Sequence, residues 1–283
     1  MIARKPVLAL EEAAIVWSQI PEFSITWSGA SVLIPYVEHY LNNVISEVKS
    51  SYGPANPALQ AELETFIQQE AAHSRYHIRY NRQMEAAGYG ALKPLVERLV
   101  GELRAMRVKR SLAFNVAYCA GFENGATFTA LYLLTKCDAL FAGAEPNGAN
   151  LLLWHVAEEY EHRAVCHEAF HAVSGSYFIR IAGLLYAFWH INSSFGRATK
   201  VIMDRHRATM TSAQRRESIR TERRLKRRQL AFAMPRMLRL LMPNFNPARL
   251  PVPPRVQAVL DFFASESAVR TVAVSSPQML RAA

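Results

Sequence analysis

The sequence predicts an all-α protein, a four-helix bundle with additional C-terminal helices. Three observations predict it. The 283 residues contain only 12 Gly and 14 Pro, and the Pro lie mostly near expected helix starts or toward the C-terminus. The stretches between them are rich in Ala, Leu, Glu and Arg, which are good helix formers. Four segments repeat apolar residues at three-four spacing, the stripe by which a helix faces a bundle interior. The length suffices for one main domain with a substantial core.

Residues 1–29 read as an N-terminal extension and 30–175 as the bundle. The first helix is expected over 30–50, with Pro35 in its early turns, and Gly53, Pro54 and Pro57 end it. A second follows to about Ala87, where Gly88 and Gly90 stop it. Pro94 suits the first turn of a third helix, which runs to about Asp138 with an irregularity expected at Gly101. The loop AGAEPNGAN precedes the fourth, Leu151 to Val173, closed by Ser174, Gly175 and Ser176.

Residues 176–241 read as further helices packing on the bundle. The most apolar stretch is YFIRIAGLLYAFWHI (177–191), yet only the nine residues Ile181 to Trp189 lack ionisable groups other than Tyr186. A membrane-spanning helix needs about 20. A fifth packing helix is therefore expected, with an interfacial helix lying on a membrane as the alternative. Residues 242–283 form a Pro-rich tail, with five Pro between 243 and 254, a short helix near Val256–Ala264 and a loose end.

The formal charge of +10 is local. Between Asp204 and Arg228 stand ten Lys or Arg and three acids, +7, which leaves +3 for the rest of the chain. RRESIRTERRLKRR interleaves Glu with Arg, as a solvated helix face laced with ion pairs does. Phosphate binding shows a broader footprint, so no nucleic-acid partner is expected; peripheral membrane contact is the alternative role. Three Cys, with no pairing pattern, and an N-terminus without an apolar signal core point to a cytoplasmic protein, with membrane association as the variant. A homodimer is compatible with the sequence.

The four apolar stripes are interrupted only by Glu and His. The first reads Ser31, Ile34, Glu38, Leu41, Ile45, Val48, and the second Leu63, Phe66, Glu70, His73, His77, Tyr80. In the third, Glu123 stands between Cys119 and Ala126; in the fourth, His155, Glu159 and His162 precede Cys166 and Ala169. Charge in a core has to be paired or bound to metal. Glu70 with His73 and Glu159 with His162 are ExxH pairs, and with Glu38 and Glu123 they match the ligand set of carboxylate di-iron or di-manganese bundles. His155, about 40° from Glu159 around the helix, reaches the same ion. Glu168 and His171 also form ExxH, but about 180° away, and are discarded.

Four carboxylates carry about −4, which neutralises two divalent cations. Mixed carboxylate and imidazole ligands without thiolates suit two iron ions, with manganese or a mixed pair next and zinc less suited. Around these ligands His77, Glu158, Glu161 and Asn81 are candidates for outer hydrogen bonds. Cys119 and Cys166 read as small core residues that, with Ala126 and Ala130, leave open volume beside the metals.

The stretches FIQQEAAHSRYHIRYN (66–81), FENGATFTA (122–130) and WHVAEEYEHRAVCHEAF (154–170) resemble the bacterial predicted metal-dependent hydrolase family, with its patterns E-x-x-H-x-x-x-H-x-x-x-N, E-x-x-x-T and W-H-x-x-E-E-x-E-H. The family's P-x-G-E is altered to Pro35-Tyr36-Val37-Glu38 and its Phe-His-Pro to Phe245-Asn246-Pro247. The ligand pattern is also similar to ferritin-like di-iron oxygenases of the p-aminobenzoate N-oxygenase type, which have a His at the place of His155. The resemblances imply a ferritin-like bundle and two different chemistries.

Ranked first is a di-iron, O2-activating oxidoreductase acting on a small organic or lipophilic substrate, with an external electron donor, because a helical bundle rich in Glu ligands is the usual setting for that chemistry. Metal-dependent hydrolysis of an ester, amide or phosphate stands second. A non-enzymatic metal-binding bundle stands third. Nothing in the sequence names the substrate.

Overall fold

The computed structural model describes residues 1–265, which form helices and no strand. In chain order these are α1 (Pro21–Ser31), α2 (Ile34–Tyr52), α3 (Pro57–Ala86), α4 (Lys93–Lys109), α5 (Leu112–Lys136), α6 (Asp138–Phe141), α7 (Pro146–His162), α8 (Val165–Val173), α9 (Tyr177–Ala208), α10 (Ser212–Leu240) and α11 (Pro254–Ala264). The expected all-α class holds. Helices α2, α3, α5 and the α7–α8 pair pack on one another around the main core, and α9 lies along α5 and α1.

The expected first helix starts late, and the expected third and fourth are each divided in two. Most of α1 lies in the stretch read as an N-terminal extension; it ends at Val32–Leu33, because the Pro35 ring leaves no room for a helical carbonyl four residues back, and the chain restarts with Pro35 in its first turn. Ser31 therefore ends α1 rather than opening α2, although it stays buried. The third breaks at Arg110–Ser111, not at Gly101: Ser111 is extended and its side chain accepts from the Phe114 N–H, which caps α5. Gly101 passes unnoticed through α4. The fourth begins earlier, at Pro146, where Glu145 accepts from the amides of Asn147 and Gly148, and it breaks after His162. No Pro or Gly marks that second break.

The N-terminal segment is built into the structure. Tyr76 donates to the Pro6 carbonyl, Arg79 pairs with Glu11, and α1 packs against α9. Residues of the tail are pinned as well: Tyr160 donates to the Pro251 carbonyl, and α11 buries Val256, Leu260 and Phe263 against α7. The loose end expected beyond it lies outside the described residues.

The approach of α9 to α5 rests on glycine. A Cβ at Gly183 would stand 2.5 Å from Ala117 Cβ, and one at Gly121 2.8 Å from Leu184 Cα. The two backbones thus meet without side chains between them. That contact sets the distance from α9 to the helix that carries Glu123. No described helix is long and apolar enough to cross a membrane.

Candidate metal centre

Each of the four bundle helices delivers its seam residues to one buried place. Glu38 comes from α2, Glu70 and His73 from α3, Glu123 from α5, and His155, Glu159 and His162 from α7. Two sets of ligand atoms converge: Glu38, His73, His155 and Glu159 in one, Glu70, Glu159 and His162 in the other. Glu159 belongs to both. Glu123 lies at the edge, with its Oε2 3.8 Å from His162 Nδ1. Within the first set, His155 Nε2 is 3.0 Å from Glu159 Oε1 and 3.8 Å from Glu38 Oε1, and His73 Nδ1 is 3.7 Å from Glu159 Oε1. In the second, His162 Nδ1 is 2.8 Å from Glu70 Oε1.

The three imidazoles share one arrangement, with one nitrogen directed inward and the other held from outside. His73 Nε2 donates to Glu158 at 2.9 Å, and His162 Nε2 donates to the Gln69 carbonyl oxygen at 3.0 Å. Gln69 is oriented by its own amide, which donates to the Ile2 carbonyl and to Glu161. For His155 the proton positions follow from the end of the chain. The Asn81 amide donates to the Ser31 carbonyl, so its Oδ1 accepts from the Ser31 hydroxyl, which accepts in turn from His77 Nδ1. His77 Nε2 is then left to accept from His155 Nδ1–H at 2.7 Å.

His155 Nε2 consequently offers a lone pair to carboxylate oxygens. Acceptor facing acceptor in a dry core calls for a cation between them. The same conclusion comes from a larger set: Glu38 Oε1, both oxygens of Glu70, Glu123 and Glu159, His73 Nδ1 and His162 Nδ1 are buried without a hydrogen-bond partner. Natural cores hold few such atoms. Their convergence fits divalent metal, and the outward bonds from imidazole to carboxylate or amide are those that orient metal-bound His.

Electrostatics agree with the geometry. Burial, then the fields of neighbouring carboxylates, pushes Glu38 and Glu123 well above the usual carboxylate range. Burial opposes charge on His73, but its hydrogen bond to Glu158 and the nearby Glu70 carboxylate prevail and raise it well above an ordinary imidazole. Burial and the neighbouring His residues push His77 and His155 down, so both are neutral.

A pH dependence follows for the metal-free protein. Folding raises Glu38 and Glu123 above the ordinary carboxylate value of 4.5 and His73 above the ordinary imidazole value of 6.5, so as pH rises through those values the unfolded chain gives up protons before the folded chain does. The folded state binds more protons, so stability falls as pH rises, by ~1.4 kcal/mol per pH unit for each proton of difference. His77 and His155, with lowered pKa, contribute slope only below 6.5. Thermal melts in chelator are expected to show Tm falling from pH 6.5 upward, and metal loading is expected to remove that fall, since bound metal takes the place of the protons. A chelated protein whose Tm rises over that range would contradict the reading of the cluster.

The outer residues expected from sequence divide. Glu158 bonds His73 and accepts from the Arg4 backbone and guanidinium; Glu161 accepts from the two terminal Arg4 guanidinium nitrogens; His77 and Asn81 form the line behind His155. Cys119 and Cys166 are buried, and burial, then the Glu123 charge, holds both thiols well above their usual value, so they are not thiolates. The expected open volume lies elsewhere than beside them. A pocket of about 550 Å³ touches Ala126 but neither these Cys nor Ala130, and reaches the centre at His155 and Glu159. Glu168 is half-buried and His171 exposed, away from the centre, as the phase argument requires. Sequence reasoning missed Arg4, Gln69, Ser31 and Ser74, the last of which donates to Glu38 at 2.8 Å. Gln69, a buried amide beside a ligand, was open to detection by its position; Arg4 was not.

No curated protein and no solved structure matches the chain. A family model described as predicted metal-dependent hydrolase matches residues 3–250, most of the length and all seven converging residues. The chain belongs to the predicted metal-dependent hydrolase family.

Proposed function

We propose that this protein is a dinuclear metal enzyme acting on an apolar small molecule. The observation that carries the proposal is the pocket of about 550 Å³ that ends on His155 and Glu159. A bundle that only stored or was braced by metal has no use for such a chamber. Its walls include Trp27, Phe122, Phe128, Leu152, Phe188 and Ile191, which exclude water and suit an apolar substrate body. Seven side chains would hold the ions: Glu38, His73 and His155 toward one, Glu70, Glu123 and His162 toward the other, with Glu159 between. This set is like that of ferritin-like carboxylate bundles.

For the reaction, the family description supports hydrolysis, and that reading takes first place over the oxidation that the sequence alone ranked higher. When bound, a metal pair acts as Lewis acid toward the substrate and makes water nucleophilic at neutral pH. The chain's own residues would hold the ions and fix the place of one proton. His155 Nδ1–H is committed to His77, so His155 is a fixed acceptor rather than a free base. Glu159 lines the pocket and belongs to both converging sets, so it would hold metal at the edge of the centre that a substrate meets. A specific observation favours the second reading, oxygen-dependent oxidation: four carboxylates with three imidazoles, no thiolate and a dry apolar chamber are suited to an iron pair.

One set of assays separates them. Protein loaded anaerobically with Fe(II), Mn(II) or Zn(II) is tested on apolar carboxylic esters and phosphodiesters, and oxygen uptake is recorded when air is admitted. Turnover without oxygen, lost in Glu159→Ala, is expected from hydrolysis. Oxygen uptake by the Fe(II) form alone, with no anaerobic turnover, would establish oxidation instead. Silence in both would return the chain to a metal-binding bundle.

A further inference from the structure

The pocket opens between α9 and α10. These helices run antiparallel and are joined at their ends: the Arg180 guanidinium donates to the carbonyls of Leu240 at 2.7 Å and Met242 at 2.8 Å, and Arg207 donates to Ser218 at 2.9 Å and Glu222 at 2.7 Å. Between those ends they part. Phe188 and Phe195 line the gap from α9, and Leu230 and Met237 line it from α10.

On both helices an exposed apolar stripe borders the face that lines the pocket. Phe178, Leu185 and Trp189 on α9 are 81%, 56% and 64% exposed and lie within about 40° of one another, about 60° to 100° around from Phe188. On α10 one stripe about 80° wide carries Arg216, Arg220, Arg223 and Arg227 along its first half and Leu230, Met234 and Leu238 along its second. All seven are exposed, and Leu230 also lines the pocket. The acids of α10, Glu217 and Glu222, fall at least about 60° outside that stripe. They pair with Arg220, Arg224, Lys226 and Arg207, and among the described residues Arg223 and Arg227 have no acidic partner.

Large apolar side chains beside unpaired cations, at the mouth of an apolar chamber, are not the surface of a protein that meets only water. Two occupants would cover the apolar part. A second copy of the chain brings the same cations against each other, so charge opposes it. An anionic bilayer surface satisfies both halves at once, with aromatic and aliphatic side chains entering the boundary between headgroup and acyl chain and Arg meeting lipid phosphate.

We propose that the lips of the pocket, the exposed stripes of α9 and α10, dock on an anionic lipid surface, and that the substrate is a lipophilic molecule taken from that surface. The substrate class rests on the enzymatic reading above; the docking does not.

The test is co-sedimentation of the full chain with vesicles of phosphatidylcholine alone and with phosphatidylglycerol added, together with tryptophan emission. Binding to the anionic vesicles is expected, with a blue shift that Trp189→Phe removes for the most part, since Trp17 and Trp154 are buried and Trp27 is half-buried in the pocket wall. Arg223→Gln combined with Arg227→Gln is expected to weaken binding roughly 25-fold, about fivefold for each cation. Phe178→Ser with Trp189→Ser should weaken it also, and both double variants should keep wild-type helicity and metal content. Failure to bind anionic vesicles would overturn the proposal. So would binding with unchanged Trp189 emission, which would be charge attraction alone, or a dimer in ultracentrifugation that the same variants dissociate. Glu159→Ala separates the two proposals: it should bind vesicles as wild type does while losing metal, and a wild-type enzyme that turns over soluble esters but ignores vesicles would sink only the docking.

Discussion

Glu159→Ala is expected to empty the whole metal centre, taking metal content measured by mass spectrometry from about two ions per chain to less than one. The reason is position: Glu159 is the residue shared by the two converging sets, 3.0 Å from His155 Nε2 and 3.7 Å from His73 Nδ1. The loss in affinity should exceed about 100-fold. Glu158→Gln is the comparator, because Glu158 touches the centre only through His73 Nε2, and removal of an outer partner costs about 10- to 100-fold. Stability should move in opposite directions with and without metal. Metal at about 1,000 times its Kd stabilises the fold by ~4 kcal/mol, a gain the Ala variant forfeits. In chelator the same variant should melt higher than wild type, because it removes a buried carboxylate whose oxygens have no partner. Equal metal content in wild type and Glu159→Ala would end the assignment of the centre.

Gly183→Val is expected to lower stability sharply, because it forces α5 and α9 apart. Its Cβ would meet Ala117 Cβ at 2.5 Å, the Ala117 carbonyl carbon at 2.6 Å and the Tyr118 nitrogen at 2.8 Å. Two of those three atoms belong to the α5 backbone, which cannot rotate aside as a side chain does. The helices must separate, and overpacking of this kind costs ~1–3 kcal/mol or more. Since α5 carries Glu123, metal content should fall with Tm. Gly101→Ala is the control: Gly101 lies inside α4, exposed, with nothing within 4 Å of an added Cβ. There the gain in helix propensity should stabilise the protein by ~0.4–1 kcal/mol. A Gly183→Val protein that melts with wild type would show that α5 and α9 do not meet as described.

The placement of the seven converging residues was legible without coordinates because helix periodicity is a local property. Once Glu70 and His73 are placed on one helix, their separation and common face follow from the turn itself. The same rule set Glu168 and His171 aside. Helix ends were legible at Pro57 and Pro94 but not at Pro146 or Ser111, where a Pro or a cap stood inside a stretch read as loop or as continuous helix, nor after His162, where the break leaves no mark in the sequence. The reaction was the least legible part. Ligand types suggested oxygen chemistry first, the family description points to hydrolysis, and both are compatible with the same carboxylates and imidazoles.

What the sequence by itself determined, then, is an all-α chain with Glu and His in its core seams, because a repeat of three to four residues is written in the chain. Only the tertiary structure decided what stands behind those residues and what opens onto them. Arg4 reaches Glu158 across 154 residues, and Gln69 reaches His162 across 93. The pocket is walled by α1, α3, α5 and α7, opens between α9 and α10, and meets the centre on the side of His155 and Glu159 rather than of the cysteines. Such pairings depend on how whole helices pack, and no local spacing encodes a packing angle or the gap it leaves.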